Sequence, residues 1–380
     1  MNIPVSKPHL TKQCKTFAQN AINTGEISGL FGNFITDFEE AFASWVGTKF
    51  AVACSNGTTA LHLSLIAAGI KKGDEVLVAD LTNMATFFAV LYIGAKPIPV
   101  DISLDTYTID LDDIKSKMTP SIKALVVVHL FGQPVNVAEI RQVVGKEVKV
   151  IEDCAEAHGS EIGGKRVGSL GDFGAFSFFG NKNLTCGEGG IITTDSVDAY
   201  ENLKSLRSLA FSNSGNKFYH QAIGFNYRLS NVSCAIGYSQ TLQADTLISR
   251  RIEVCEQYDY LLSGIDEIST PVRVDRTKNT YWMYHIALKG SISKHRDKIS
   301  KMLLDKGVET RFGFVPYSLQ SKLHSEMPEN LKCVNSISCA NATFYLPTFL
   351  DISVAEQRKV SQKLREVINS IKEENSSDPV

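Results

Sequence analysis

A chain of 380 residues, 43% of them hydrophobic and 21% charged, is long enough to bury a large core and to divide into two domains. Its formal net charge of -2 offers no electrostatic footprint for nucleic acid or an anionic membrane surface, so small molecules and further copies of the chain are the expected partners. Eight cysteines (14, 54, 154, 186, 234, 255, 333 and 339) form neither a CxxC pair nor a compact framework, which reads as free thiols in a reducing, cytoplasmic setting. The opening MNIPVSKPHL has Pro and His where a signal peptide would be apolar, and no segment reaches 18 uninterrupted apolar residues, so no membrane span is expected.

In chain order, Lys12 to Thr24 reads as a helix, followed by the glycine-punctuated TGEISGLFGN. Phe34 to Trp45 carries apolar residues at helical spacing with acids between them, an amphipathic helix. Phe50 to Cys54 is a short apolar strand, SNGTTA follows, and Leu61 to Ala68 continues as a helix. A strand that ends in Ser-Asn-Gly-Thr at a helix start offers free backbone N–H groups and hydroxyls to an anion, and the helix dipole adds to the attraction. Gly57 and Thr58 are thus a candidate phosphate cradle, with an ordinary N-cap as the alternative.

Further apolar runs follow at Glu75 to Val78, Lys96 to Val100, Ala124 to His129, Val148 to Glu152, Gly174 to Phe179 and Gly190 to Thr194, separated by helical or turn-rich segments. That alternation predicts an α/β fold with a mostly parallel seven-stranded sheet covered on both faces. Ligands in such sheets bind beyond the carboxyl ends of the strands. The polar residues there are Asn83, Thr86, His129, Asp153, Glu156, His158, Ser177 and Lys182.

From about Leu247 the composition changes. SRRIEVCEQYDYLLSGI reads as a long amphipathic helix leading out of the sheet domain, TYWMYHIALKG as a strand, and Arg296 to Lys306 and Ala355 to Ile371 as helices before the polar tail EENSSDPV. The expected division is a large domain over residues 1–246 and a smaller α+β domain over 247–380.

Lys182, in FSFFGNKNLTCGEGG, stands between an apolar-and-serine run and a glycine-rich turn. A solvated surface lysine is the default there. A lysine that must bond a carbonyl has to be partly deprotonated, which burial achieves. A carboxylate at the end of VIED suits the holding of a protonated pyridine nitrogen, so that the ring becomes an electron sink. Phosphate-binding hydroxyls and amides complete a pyridoxal phosphate site, and it is the joint occurrence that favours it. Gly187, Gly189 and Gly190 read as backbone necessity, because the GxGG run opens a strand and not the helix of a dinucleotide fingerprint. His129 and His158 read first as hydrogen-bonded core histidines. No Cys or His pair has the spacing of metal ligands.

IEDCAEAHGS followed by FSFFGNKNLTCGEGGIITTD resembles the DegT/DnrJ/StrS family of sugar aminotransferases, which are fold-type-I, aspartate aminotransferase-like pyridoxal phosphate enzymes. SNGTTALHLSL, GDEVLVADLT, GAKPIPVD, VVHLFGQPVN, GFNYRLSNVSCAIG, TYWMY and ETR before a late LP extend the resemblance over nearly the whole chain. FSFFGNK and EDCAEAHG look most like the branch that aminates a GDP-linked 4-keto-6-deoxymannose for perosamine, a sugar of O-antigen. The resemblance implies that Lys182 bonds the cofactor and shuttles protons, that Asp153 pairs with the pyridine nitrogen, and that Glu156 lies near the phenolic oxygen. Glu at that place requires that one partner in the contact carry a proton or face a cation. Gly57, Thr58 and Ser177 would hold the phosphate, with Asn226 reaching it from a neighbouring subunit, so the unit expected is a homodimer with its active site at the interface. Glutamate is the amino donor implied, the nucleotide sugar the acceptor. Arg311 would bind a nucleotide phosphate or a donor carboxylate, against a surface salt bridge as the default; His158 also falls where it could meet the substrate.

Two departures stand out. Many members carry an aromatic residue where this chain has Asn83, so stacking on the cofactor must come from elsewhere, with Phe87 the candidate, or be replaced by an amide contact. In TRFGFVPYSLQ, Phe312 and Ser318 replace a proline and a histidine. A dehydratase on the same fold would have lost the lysine to histidine; Lys182 is intact. Amination of a UDP-linked or 3-keto sugar, or a non-catalytic binding role, are the other readings.

Overall fold

The computed structural model describes residues 2–212, 218–323, 331 and 333–377, with side chains to 374. The seven expected strands form one sheet: β1 (Phe50–Cys54), β2 (Glu75–Ala79), β3 (Lys96–Val100), β4 (Ile122–Val128), β5 (Lys149–Asp153), β6 (Phe173–Ser177) and β7 (Gly190–Thr194). Their spatial order is β1-β7-β6-β5-β4-β2-β3, and β7 alone among them runs against its neighbours. The strands are mostly apolar because the sheet is buried on both faces, with charged residues near their ends (Glu75, Lys96, Lys123, Lys149, Glu152 and Asp153). Val76, Val78 and Val126 pack to one side with the helix Gly57–Ala67, while Leu77, Ala79 and Val127 pack to the other with the helix Val137–Val144.

One edge of this sheet collects the polar residues. β1, β2, β4, β5 and β6 all end there, and β7, being antiparallel, begins there at Gly190. The residues that follow each strand, Ser55 to Thr58, Asp80 to Asn83, His129, Cys154 to Glu156 and Phe178 to Lys182, therefore share one rim.

A second, antiparallel sheet consists of β8 (Ile268–Ser269), β9 (Tyr284–Leu288), β10 (Arg311–Phe312) and β11 (Thr343–Leu346), in the order β8-β9-β11-β10. Three helices pack with it: Ala244–Leu262, Arg296–Asp305 and Val354–Ser377. Two features bear on the expected division. Residues 246 and 247 lie inside the helix Ala244–Leu262, whose first half (Ala244, Leu247, Ile248) packs on the large domain and whose second half (Val254, Tyr258, Leu262) packs on the small one. The amino-terminal segment also belongs to the small domain, since Ile3 bridges Val308 and lies in that core. The expected polar tail is helical to Ser377, and its last three residues lie outside the described part.

The expected strand TYWMYHIALKG begins only at Tyr284. Before it, Asn279 Oδ1 accepts from the Tyr281 N–H at 2.8 Å and Tyr281 takes φ +48°, so the chain turns and Trp282 faces the large domain, its N–H donating to the Phe131 carbonyl at 3.1 Å. Phe131 is itself left-handed, with φ +58°. A bulky residue in that region stores backbone strain, and here the strained turn aims the Phe131 N–H at Glu156.

Candidate active site

A cavity of about 550 Å³ lies on the polar rim of the large sheet and is walled on its far side by the small domain. At one end the helix Gly57–Ala67 begins. Asn56 caps it: its Oδ1 accepts from the Thr59 N–H at 2.9 Å, and Thr59 Oγ1 accepts from the Asn56 N–H at 3.1 Å. Helix geometry leaves the N–H groups of Gly57 and Thr58 without intrahelical carbonyls, and both residues line the cavity. A Cβ on Gly57 would stand 2.8 Å from the Ser177 Cβ, and one on Gly190 would stand 2.2 Å from the Asn56 carbonyl oxygen. Glycine is required at both places because the cradle and the ends of β6 and β7 approach so closely.

Asp153, 5% exposed, ends β5 at the cavity floor. Its Oδ2 accepts from Thr86 Oγ1 at 2.8 Å and its Oδ1 from the Ala155 N–H at 3.1 Å; Thr86 in turn lies 3.0 Å from Thr82 Oγ1. Burial pushes its carboxyl above the ordinary carboxylate range, opposed by those two donors and by the Lys182 charge. A protonated ring nitrogen placed against it would offset that burial.

Lys182 reaches the cavity from the turn after β6. Its Nζ stands 3.6 Å from Glu156 Oε1 and 4.1 Å from the centroid of the Trp282 ring, whose indole N–H donates to the Asn181 carbonyl at 2.9 Å. Burial pushes the amine below its ordinary value, while burial pushes Glu156 up to about 7 against the pull of Lys182 and of the Phe131 N–H. Both groups thus move towards their neutral forms, the state in which the amine is a nucleophile.

These parts fit pyridoxal phosphate at three points: amide and hydroxyl donors for the phosphate, a buried carboxylate for the pyridine nitrogen, and a buried amine for the carbonyl carbon. Of the residues expected at the site, the structure gathers Gly57, Thr58, Asn83, Asp153, Glu156, Ser177, Lys182 and Arg311 around the cavity. Asn83 also has a structural task, its Oδ1 capping the helix Met84–Tyr92 through the Ala85 N–H at 3.0 Å.

Three expected residues fall elsewhere. Phe87 is fully buried and stacks on Tyr317 with ring centroids 4.1 Å apart, so it cannot stack on a cofactor. His158 is also fully buried, among the rings of Phe42, Phe176 and Phe178, and burial together with the Lys182 charge holds it at about 3, a neutral core ring beyond reach of substrate. Asn226, expected at a neighbouring subunit's site and not at this one, is exposed away from the cavity and accepts from Arg228 at 2.6 Å. His129 has a structural part: one ring nitrogen bonds Glu152 at 2.9 Å, and the other accepts from the Val135 N–H. Glu152 also receives the N–H groups of Gly168, Leu170 and Gly171. Ligand atoms of His129, Glu152 and Cys154 cluster within 4.8 Å, but those bonds commit both histidine nitrogens, and burial keeps the thiol protonated.

Thr82, Trp282, Phe314 and Tyr345 also line the cavity without having been singled out as site residues. The TYWMY segment carried the resemblance, yet nothing local distinguishes a tryptophan that covers a lysine from one in a core.

The profile of the DegT/DnrJ/EryC1/StrS aminotransferase family matches residues 8–365. A GDP-perosamine synthase of Caulobacter vibrioides is 37% identical over 96% of this chain and 98% of its own length. Another from Escherichia coli O157:H7 is 39% identical over 83% and 85% respectively. Among solved structures, the aminotransferase TlmJ of Streptoalloteichus hindustanus superposes with a TM-score of 0.91 at 27% identity, covering 97% of this chain and all of that one.

Proposed function

The chain belongs to the DegT/DnrJ/EryC1/StrS aminotransferase family and is a pyridoxal phosphate-dependent sugar aminotransferase; we propose that it aminates GDP-linked 4-keto-6-deoxymannose with L-glutamate as donor. The similarity to two GDP-perosamine synthases over most of the chain carries this choice of sugar. When bound, the cofactor supplies the electron sink that allows a C–H bond beside nitrogen to break.

The protein supplies the rest. The first turn of Gly57–Ala67 and Ser177 would hold the phosphate, and Asp153 would keep the pyridine nitrogen protonated. Lys182 moves a proton to and from the reacting substrate carbon, with Glu156 beside it to take up or release the compensating charge. Trp282 covers the amine and excludes water from it.

The functional unit in this proposal is a homodimer. Phe218, Tyr219 and Ile223 are 70%, 71% and 87% exposed just before Asn226, an apolar stretch of the kind a second subunit covers, and Asn226 would then reach the partner's phosphate site. The free cysteines suit a reducing cytoplasm, and an O-antigen precursor would be the product's destination.

A panel of GDP-, UDP- and dTDP-linked keto sugars, scored for glutamate-dependent amination, tests the choice of sugar. Preference for a UDP- or dTDP-linked sugar would overturn it, and borohydride reduction should fix the cofactor to Lys182.

A further inference from the structure

Lys182 is bracketed by one short segment of chain, Thr280 to Trp282, that runs into the small domain. On one side of the lysine the Asn181 carbonyl accepts from the Trp282 indole N–H at 2.9 Å; on the other, Asn183 Nδ2 donates to the Thr280 carbonyl at 3.1 Å. The Trp282 ring between them lies over Nζ at 4.1 Å. The same segment locks into the turn that serves Glu156. The Phe131 N–H donates to Glu156 Oε2 at 3.0 Å while the Phe131 carbonyl accepts from the Trp282 N–H at 3.1 Å, so one residue is joined to both groups that flank the amine. Phe131 and Tyr281 both hold left-handed backbone, and two such turns persist only where the surrounding structure fixes them.

Two hydroxyls join the turns. Ser160 and Thr280 are both fully buried. Ser160 Oγ donates to the Gly132 carbonyl at 2.7 Å and, with its proton committed there, accepts from Thr280 Oγ1 at 2.7 Å. The turns meet so closely that a Cβ on Gly132 would stand 2.6 Å from the Tyr281 nitrogen. Neither hydroxyl lines the cavity, so neither touches substrate or cofactor, and packing alone would be served by alanine and valine without burying two polar groups. We propose that the Ser160–Thr280 bridge is a positioning device for the reaction: it clamps the Phe131 and Tyr281 turns together and thereby keeps the Trp282 ring over Lys182 and the Phe131 N–H on Glu156. Without the bridge Trp282 loses its fixed place, and water and small nucleophiles reach the carbon that Lys182 bonds. The proposal rests on Lys182 as the residue that bonds the cofactor and is independent of which sugar is the acceptor.

The test uses the holoenzyme. Hydroxylamine, added without donor or sugar, displaces Lys182 from the cofactor carbon at a rate set by how well that carbon is covered, and the cofactor's absorbance follows the loss. Thr280→Val keeps the shape of the side chain and removes the hydroxyl; Ser160→Ala breaks the bridge from its other end and carries the same comparison if the first variant folds poorly. We expect each to raise the hydroxylamine rate about 3- to 10-fold and to lower kcat by about the same factor, with the KM for glutamate within about twofold of the parent. Thr280→Ser, which retains the hydroxyl, should restore both. Trp282→Phe should raise the hydroxylamine rate by itself, and Thr280→Val added to it should raise the rate no further, because the bridge acts through that ring. Parent-like hydroxylamine rates in Thr280→Val and Ser160→Ala would overturn the proposal whatever their melting temperatures. Effects that multiply in the double variant, or that Thr280→Ser fails to restore, would overturn it equally, since the hydroxyls would then only stabilise the fold. Borohydride that left Lys182 unlabelled in the parent would refute the reading of the site and the proposal with it, whereas failure of every keto sugar in the panel would refute the acceptor reading alone.

Discussion

Nζ of Lys182 stands 3.6 Å from Oε1 of Glu156 in a site that buries both, so one proton serves two groups. With the proton on the carboxyl, the amine is a nucleophile; with it on the amine, the pair is an ion pair under the Trp282 ring. A glutamine at this place would hydrogen-bond but could not exchange the proton.

Glu156→Gln therefore tests the exchange through stability. The carboxyl is raised from 4.5 to about 7 by burial, so the folded protein binds more protons than the unfolded chain across that interval. Stability from this group is complete below pH 4.5 and is lost as pH rises through about 7. Denaturant midpoints of the cofactor-free protein between pH 4.5 and 8 should fall less steeply in Glu156→Gln than in the parent. Equal slopes would mean that Glu156 titrates normally.

Asp153→Asn retains a side chain for Thr86 and the Ala155 N–H to contact but removes the charge that would hold a ring nitrogen protonated. Turnover should drop by about 100-fold or more, corresponding to about 3 kcal/mol, with the fold intact. Thr86→Val removes one donor to the carboxylate and should cost about tenfold. Retention of the cofactor's absorbance through gel filtration, compared with turnover, separates loss of binding from loss of chemistry. Full activity in Asp153→Asn would remove Asp153 from the mechanism.

The strands and the residues ending them were readable because burial on both faces forces continuous apolar runs, which any polar side chain must interrupt at the rim. Lys182, Asp153 and the SNGT turn were legible for that reason. Phe87, and the substrate contact offered for His158 beside its core reading, were misplaced because each lies close after a site residue: His158 is two residues past Glu156, and Phe87 follows Thr86 on a helix and turns about 100° away from it, into the core. Trp282 and Tyr345 were not legible, since they reach the cavity from a domain whose docking depends on contacts hundreds of residues apart. The left-handed turn at Tyr281 that aims Trp282 has no glycine to announce it.

Gly57→Ala tests the cradle. Its new Cβ would meet the Ser177 side chain at 2.8 Å, and Ser177 has no flexible end that could swing aside. The helix start would have to shift, at about 1–3 kcal/mol. Cofactor affinity should fall more than thermal stability of the cofactor-free protein does, because the shift moves the phosphate donors themselves. Fluorescence titration with the cofactor and a melting curve without it measure the two losses separately.

Ser318 stands where the resemblance leads one to expect a histidine, and its backbone N–H and hydroxyl both donate to the buried carboxylate of Asp80, at 2.8 and 2.7 Å. Tyr317 adds its N–H to the Asp80 carbonyl at 3.1 Å and its ring to Phe87, so the segment bearing Arg311, Phe312 and Phe314 is pinned to the end of β2. Burial raises Asp80 from 3.8 to about 6 even with both Ser318 donors opposing it. Ser318→Ala withdraws the hydroxyl and should destabilise the fold by about 1–3 kcal/mol while Asp80 is ionised. The sign of the pH dependence follows: the variant's deficit should be largest above pH 6 and vanish below about 3.8, where the carboxyl is neutral in folded and unfolded chains alike. Chemical denaturation of parent and variant at pH 4 and pH 8 measures it, and a deficit independent of pH would show that the serine packs against Asp80 without holding its charge.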